Sequence, residues 1–454
     1  MGKLFGTNGI RGKFGDELTV ELAVKIALSI GTYFNGGEIL VGFDGRVSSP
    51  ILKRAVISGL LASGCNVAHA GMLPTPVLQF GVKYFKYDGG VMITASHNPP
   101  EYNGIKVIGP DGIEIPRREE EKIEEVFFEN KIHRAAWNEM GKIKEEPNVI
   151  QAYIDEIIKQ VNVRKIASRK FKVVVDPGNG VSSLTTPIVL KRIGCEVITI
   201  NDVIDGKFPG RGPEPIPKVL GIVSKMVSSS NADLGVSLDG DGDRAIFTDE
   251  KGVTHWGDKS GAIIEKYLLQ REGGGIIVTP VSSSKLIEEI AMKYNGEIIW
   301  TRVGSVTVSH KLKEVNGTLG IEENGGIFYP PHQLVRDGTM ATLLMLEVLT
   351  HEGEGLSKIV DKLPRYYNYK DKIPCPHNLK KKVMEKMLLE VKCEEAVKIE
   401  TIDGIKIWKD ENKWVLIRPS GTEPIIRIYA EAKSNEEAKE LVEKYKEKLR
   451  GILA

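Results

Sequence analysis

Cysteine is scarce: four residues, at positions 65, 195, 375 and 393, are scattered through 454. None stands in a paired spacing suited to zinc, so the expected state is reduced thiols in a cytoplasmic protein. An excess of one charge is also missing. Lys and Arg number 62 against 61 Asp and Glu, a formal net charge of +1. Proteins that live on nucleic acid or anionic membrane usually carry a basic excess, so neither is expected as a partner. Any anion must then be held locally. No apolar run reaches the ~18 residues of a membrane span. The N-terminal stretch lacks the apolar region of a signal peptide. Met1-Gly2 would open a myristoylation signal, but Gly6 stands where Ser or Thr is needed. A His-Glu-x-x-His zinc helix is absent, and the eight histidines are scattered.

What is present is ordinary for a globular enzyme: 41% hydrophobic and 27% charged residues. That composition excludes a disordered chain, which could not bury enough apolar surface. At about 150 residues per domain the length suggests roughly three domains, with two or four allowed. The 48 glycines follow no collagen-like period and point to tight turns and close backbone approach.

An internal repeat organises the chain. Apolar segments 39–43, 173–175 and 276–278 each run into a turn: Asp44-Gly45-Arg46, Asp176-Pro177-Gly178-Asn179-Gly180 and Thr279-Pro280-Val281. A helix-like stretch follows each, and then a glycine (Gly64, Gly194, Gly296) opens a second apolar segment. Strand, crossover helix and strand, three times over, predict parallel or mixed sheets with helices on their faces. Each unit offers a third short strand ending in an unusual loop. The loops are Ala95-Ser96-His97-Asn98-Pro99, Asp239-Gly240-Asp241-Gly242-Asp243-Arg244 and Glu322-Glu323-Asn324-Gly325-Gly326. Ligands of open α/β sheets sit beyond the carboxyl ends of strands, so the three loops are expected to face one shared site. The last ~85 residues change pattern. Two strands surround Asp403-Gly404, two more lie at 414–417 and 425–430, and Ser434-Asn435-Glu436-Glu437 is a capping box before a charged helix.

Asp239, Asp241 and Asp243 alternate with glycines, so three carboxylates can turn onto one hard divalent cation. The rival is an EF-hand running to Glu250, but its sixth position should be Gly and is Arg244, and its flanks are strand-like. A bare acidic surface turn would leave three carboxylates repelling one another. Ser96 sits on a strand-to-loop turn beside Thr94, His97 and Asn98, without the flanking glycines of a nucleophile elbow. An Asn-Pro turn is its bland alternative. What singles Ser96 out is its rank in the repeat, equivalent to the aspartate loop. Arg418-Pro419-Ser420-Gly421-Thr422-Glu423-Pro424 offers a guanidinium, two hydroxyls and a glycine that lets N–H groups approach an anion, the makings of a phosphate cradle. Gly178 to Ser183 lacks the third glycine of a dinucleotide fingerprint. Gly252 to Ser260 fails as a phosphate-binding loop because Asp258 separates Gly257 from Lys259.

Together these loops resemble the α-D-phosphohexomutase superfamily, the phosphoglucomutase/phosphomannomutase group, over essentially the whole chain. The matching pieces are Phe5-Gly6-Thr7-Asn8-Gly9-Ile10-Arg11-Gly12, Thr94 to Pro99, Asn103-Gly104-Ile105-Lys106, Asp239 to Arg244, Gly304-Ser305, Glu322 to Gly325 and Arg418 to Pro424. The resemblance implies four domains around a central cleft: 1–148 with the phosphoserine loop, 149–252 with the metal loop, 253–365 with the sugar loop, and a smaller α+β domain at 366–454 with the phosphate loop. It implies phosphorylated Ser96, and one magnesium ion held by Asp239, Asp241, Asp243 and a phosphoserine oxygen. Arg11, Lys106 and Arg244 would surround the transferring phosphoryl group, with His97 beside Ser96 and Lys106 moving the proton. Gly304, Ser305, Glu322 and Asn324 would meet the sugar, and Arg418, Ser420, Gly421 and Thr422 the distal phosphate. The implied reaction interconverts hexose 1- and 6-phosphates through a 1,6-bisphosphate, which is also the expected activator. In many members the sugar loop reads Glu-x-Ser-Gly-His, whereas here Asn324 and Gly326 replace the Ser and His; Ser305 replaces a His found in some members. Mannose, glucose and glucosamine phosphates therefore stay open, with a broad phosphomannomutase/phosphoglucomutase expected over a dedicated phosphoglucosamine mutase. A phosphatase and a non-catalytic sugar-phosphate binding protein are the alternatives from other classes; intact Ser96, Lys106 and three aspartates argue against the latter. Monomer and homodimer are both open.

Overall fold

A computed structural model describes residues 4–6, 8–421 and 423–453. In the first unit, strand Glu38–Phe43 lies between Asn66–Met72 and Gly89–Ile93, parallel to both. Tyr102–Ile108 and Ile10–Lys13 extend the sheet in antiparallel fashion, and Ile143–Glu145 forms the opposite edge. Ile39 and Val41 point into a core shared with helices Val20–Phe34 and Ser49–Ala62; Leu40 and Ala68 point the other way, onto helix Thr75–Tyr84. A strand covered on both faces reads as an unbroken apolar run, which is why 39–43 shows no alternation.

The same plan recurs twice. Lys172–Asp176 is flanked in parallel by Glu196–Thr199 and Leu234–Leu238, and Ala245–Asp249 and Thr254–His255 continue antiparallel. Gly275–Pro280 is flanked in parallel by Gly296–Thr301 and Leu319–Glu322, with Gly326–Phe328 antiparallel beyond. In every unit the distinctive loop follows the second parallel neighbour of the central strand and leads back into an antiparallel one. One apolar cluster runs from Leu40 and Phe80 through Val173 and Phe247 to Ile277 and Leu344, so the three units are packed as one body. Helix Gly338–Glu352 is buried from Gly338 through Leu349 and lies within that cluster.

The C-terminal unit is a five-stranded antiparallel sheet. Its first strand, Tyr367–Pro374, is one the sequence did not announce: an exposed, charged edge gives little period-two signal. Alternation divides its inner strand. Ile405 and Ile407 join a core with helices Lys380–Lys392 and Asn435–Leu453, while Trp408 turns toward Trp414, Val281 and Trp300 of the third unit. Lys406 is buried in that joint: its Nζ donates to the Val281 carbonyl at 2.9 Å and lies over the Trp300, Trp408 and Trp414 rings at 4.7, 4.8 and 4.1 Å. Among the described residues, no helix is long and apolar enough to cross a membrane.

Candidate active site

Strands Leu234–Leu238 and Ala245–Asp249 pair with Leu238 opposite Ala245, which forces residues 239–244 into a compact connection. Asp239, Asp241 and Asp243 are all buried, and one oxygen from each lies within 4.8 Å of the others. Asp239 accepts from the Arg244 N–H at 3.1 Å, and Asp241 accepts from Thr75 Oγ1 at 2.6 Å. One oxygen of Asp241 and one of Asp243 are buried with no hydrogen-bond partner. Burial, and then the Asp243 and Asp241 charges, push Asp239 well above the usual carboxylate range. Burial pushes Asp241 the same way, but Lys106 and the Thr75 hydroxyl outweigh it and hold it low. Convergent carboxylates with orphaned oxygens fit a hard divalent cation, which would relieve both the repulsion and the missing bonds. An EF-hand is excluded: the loop joins two strands, and Glu250 turns away to accept from the Ser357 hydroxyl at 2.5 Å.

Ser96 faces this loop from the first unit. Its φ is +52°, in the left-handed region, which costs a non-glycine residue about 1–2 kcal/mol. The strain aims the buried hydroxyl at Asp239 Oδ2, 3.0 Å away, with His97 Nδ1 at 3.3 Å. Gly240 is required here, since a Cβ on it would stand 2.7 Å from the Ser96 carbonyl oxygen. Burial, then Arg244, Arg11 and Arg336, drive the His97 pKa well down, so its ring is neutral. Arg11, from strand Ile10–Lys13, reaches Asn98 Oδ1 at 2.7 Å and the Ala95 carbonyl at 3.3 Å. Lys106, from Tyr102–Ile108, is buried with its Nζ 3.2 Å from both Asp241 and Glu114. Burial opposes its charge, but Asp241, Glu114 and Asp243 prevail and raise its pKa, so it is an ammonium. Arg244 Nε lies 3.7 Å from Asp243 and 4.0 Å from Asp239 and makes no hydrogen bond.

Glu322 is joined to this cluster by a residue the sequence did not single out. Arg336 donates to Glu322 Oε2 at 2.8 Å and to Asp243 Oδ2, tying the 322–326 loop to the aspartate loop. A lone Arg ahead of a helix carries no local signal; only its buried position reveals it. Glu114 was missed for the same reason. Asn324 accepts from the Gly326 N–H at 3.2 Å and so shapes its own loop. Gly304 precedes helix Ser305–Val315 with φ +139°, which favours glycine. Ser305 meets Asn8: in the amide orientation that satisfies every neighbour, Asn8 donates to Glu114 at 2.8 Å and accepts from Ser305 Oγ at 3.1 Å.

The C-terminal loop stands apart. Arg418 Nε donates to Asp403 at 2.5 Å, and Asp403 also accepts from the Val303 N–H at 3.0 Å, so this loop is tied to the segment just before Gly304. Ser420 Oγ accepts from the Glu423 N–H at 3.1 Å, and its carbonyl accepts from Lys380 Nζ at 2.7 Å. Gly421 follows in the same loop; Thr422 lies outside the described residues. Among the described residues, no hydrogen bond or ion pair links Arg418 or Ser420 to Ser96, Lys106 or the aspartates.

Four family profiles match the chain. They are the phosphoglucomutase/phosphomannomutase alpha/beta/alpha domains I over residues 2–134, II over 151–252 and III over 256–367, and the C-terminal domain over 377–448. The chain is 46% identical to the phosphoglucosamine/phosphogalactosamine mutase of Sulfurisphaera tokodaii, across 99% of this chain and 100% of that one. It is 44% identical to the phosphoglucomutase/phosphomannomutase of Thermococcus kodakarensis, across 98% and 97%. Among solved structures, a phosphoglucomutase/phosphomannomutase family protein from Burkholderia thailandensis matches with a TM-score of 0.88 at 26% identity, covering 99% of this chain and 97% of that one.

Proposed function

The chain belongs to the phosphoglucomutase/phosphomannomutase family of α-D-phosphohexomutases, and from that premise we propose that it interconverts hexose 1-phosphates and hexose 6-phosphates through phosphorylated Ser96. The observation that carries the reading is a strained, buried serine hydroxyl set against three converging carboxylates, with Lys106 and Arg244 paired to those carboxylates and Arg11 bonded to the serine's own loop. Phosphoryl transfer asks for positioning and charge neutralisation more than for covalent chemistry.

In this reading the free hydroxyl of the sugar phosphate attacks phosphorus. The P–O bond to Ser96 breaks as the Lys106 ammonium gives a proton to Ser96 Oγ, and the proton lost by the sugar hydroxyl replaces it on Lys106. The product is a hexose 1,6-bisphosphate, which is also the expected activator. It turns end for end and returns its other phosphoryl group to Ser96. Arg11 and Arg244 offset the charge on the moving group. Neutral His97 keeps a ring nitrogen by the Ser96 oxygen without adding charge. Glu322, Asn324, Gly304 and Ser305 hold the sugar, while Arg418, Ser420, Gly421 and Thr422 grip the distal phosphate. One magnesium ion, held by Asp239, Asp241, Asp243 and a phosphoserine oxygen, would supply charge neutralisation at the phosphoryl group.

The substrates we favour are glucose and mannose phosphates. Glucosamine phosphates are the second reading, favoured by the name of the Sulfurisphaera tokodaii relative. Initial rates on mannose, glucose and glucosamine 1-phosphates, each with a trace of bisphosphate, separate the two. Release of inorganic phosphate without sugar interconversion would overturn both in favour of a phosphatase.

A further inference from the structure

The Asp44-Gly45-Arg46 turn follows Glu38–Phe43, the central strand of the first unit, and has no place in the chemistry above. Arg46 is nonetheless 1% exposed and uses all its donors on protein. Nε meets Asp44 Oδ2 at 3.1 Å. Nη1 donates to the carbonyls of Pro99 at 2.7 Å and Tyr102 at 3.0 Å. Nη2 donates to those of Ser96 at 2.7 Å and Asn98 at 2.6 Å. Five hydrogen bonds exhaust a guanidinium, so none is left for a ligand. Asp44, in turn, accepts from Thr94 Oγ1 at 2.7 Å and Ser49 Oγ at 2.6 Å. Thr94 Oγ1 accepts the Ser96 N–H at 2.9 Å. Both the N–H and the carbonyl of the one left-handed residue in this loop therefore lead back to a single buried carboxylate. The guanidinium also lies over the Phe208 ring of the second unit, 5.1 Å from its centroid, on the side from which Gly240 approaches Ser96.

The same place in the other repeats does the same kind of work. Asp176, which ends the first strand of the second unit, holds Arg211 at 2.5 Å, and Arg211 donates at 2.5 Å to the carbonyl of Leu238, just before Asp239. In the third unit Thr279 donates at 2.8 Å to the carbonyl of Ile321, just before Glu322. The carboxyl end of each central strand buttresses the functional loop that follows its neighbour.

We propose that Asp44, Arg46 and Thr94 are positioning residues that clamp the peptide on both sides of Ser96 and so set the line along which its phosphoryl group is transferred. This rests on the reading of Ser96 as the phosphoryl carrier. The test uses full-length Thr94→Val, Thr94→Ser, Arg46→Lys and Ser96→Ala, each checked for folding by circular dichroism. Steady-state kinetics on glucose 1-phosphate with bisphosphate are combined with single-turnover partition of phosphoserine between sugar and water. Thr94→Val removes the hydroxyl at constant shape. It should lower kcat about a hundredfold, the cost of misplacing a reacting group by about 1 Å, with KM held within about twofold and a larger share of phosphate lost to water. Thr94→Ser should recover most of the transfer rate. If Arg46→Lys does not fold, Thr94→Val decides. Wild-type kcat in folded Thr94→Val, or a rise in KM alone, would overturn the clamp while an inactive Ser96→Ala left the carrier reading intact. A fully active Ser96→Ala would overturn the carrier reading, and the clamp with it.

Discussion

Replacing Arg336 with Met tests how the 322–326 loop and the aspartate loop are held together. The side chain is buried and bridges Glu322, at 2.8 Å, and Asp243. Removing one member of a buried ion pair leaves the other uncompensated, at about 3–5 kcal/mol. Asp243 keeps Arg244 at 3.7 Å and Lys106 at 3.9 Å, so its share of the loss is small. Glu322 keeps no other cation within ion-pair distance among the described residues. The expected loss is therefore near the lower bound, about 3 kcal/mol. For a packed body of this size that is a fall in Tm of roughly 3–4 °C by calorimetry. On the proposed reading Glu322 then loses its aim at the sugar, and kcat/KM should fall about a hundredfold, equivalent to about 2.7 kcal/mol. Arg336→Lys should recover only part, since an ammonium cannot bridge two carboxylates as a planar fork does. Glu322→Gln in the Arg336→Met background should regain stability, because it removes the orphaned charge, but not activity. Wild-type Tm and kcat/KM in Arg336→Met would refute the reasoning.

Intact-mass analysis of active enzyme should show a phosphate-sized increment that Ser96→Ala lacks, and Ser96→Ala should be inactive. Chelation should abolish turnover and magnesium restore it, with Asp241→Ala costing several kcal/mol of barrier; turnover unchanged in excess chelator would rule the ion out. Arg418→Ala should raise KM for the sugar phosphate and lower kcat, yet leave phosphorylation of Ser96 by small phosphodonors largely intact, because its loop touches Asp403 and not the aspartate cluster. Lys406 gives a pH signature: burial lowers its pKa to about 8, against the pull of Glu431, Glu400 and Glu288 and alongside Lys285. The unfolded chain then holds more protons than the folded one between about pH 8 and the usual lysine range, so stability rises with pH across that window. The Tm of wild type measured against Lys406→Met should climb over the same interval, and a flat difference would contradict it.

The repeat, the aspartate triad and Ser96 were legible in the sequence because each is written within a few neighbouring residues. Three carboxylates at alternate positions with glycine spacers can converge once the loop is closed, and a strand followed by a polar loop is visible in the apolar pattern. The α/β units follow from the same pattern, since strands covered on both faces must be apolar throughout. Tertiary structure alone decided what meets these loops. Arg336 closes on Asp243 from 93 residues away, and Thr75 on Asp241 from 166. Asn8 reaches Ser305 across 297 residues. None of these residues differs locally from an ordinary surface or capping residue, and long-range partners leave no trace in local spacing. The left-handed turn at Ser96 and the pairing of Arg418 with Asp403 were likewise set by packing. A strained backbone and a bridging charge persist only where surrounding burial leaves no cheaper alternative, and burial is a property of the folded whole.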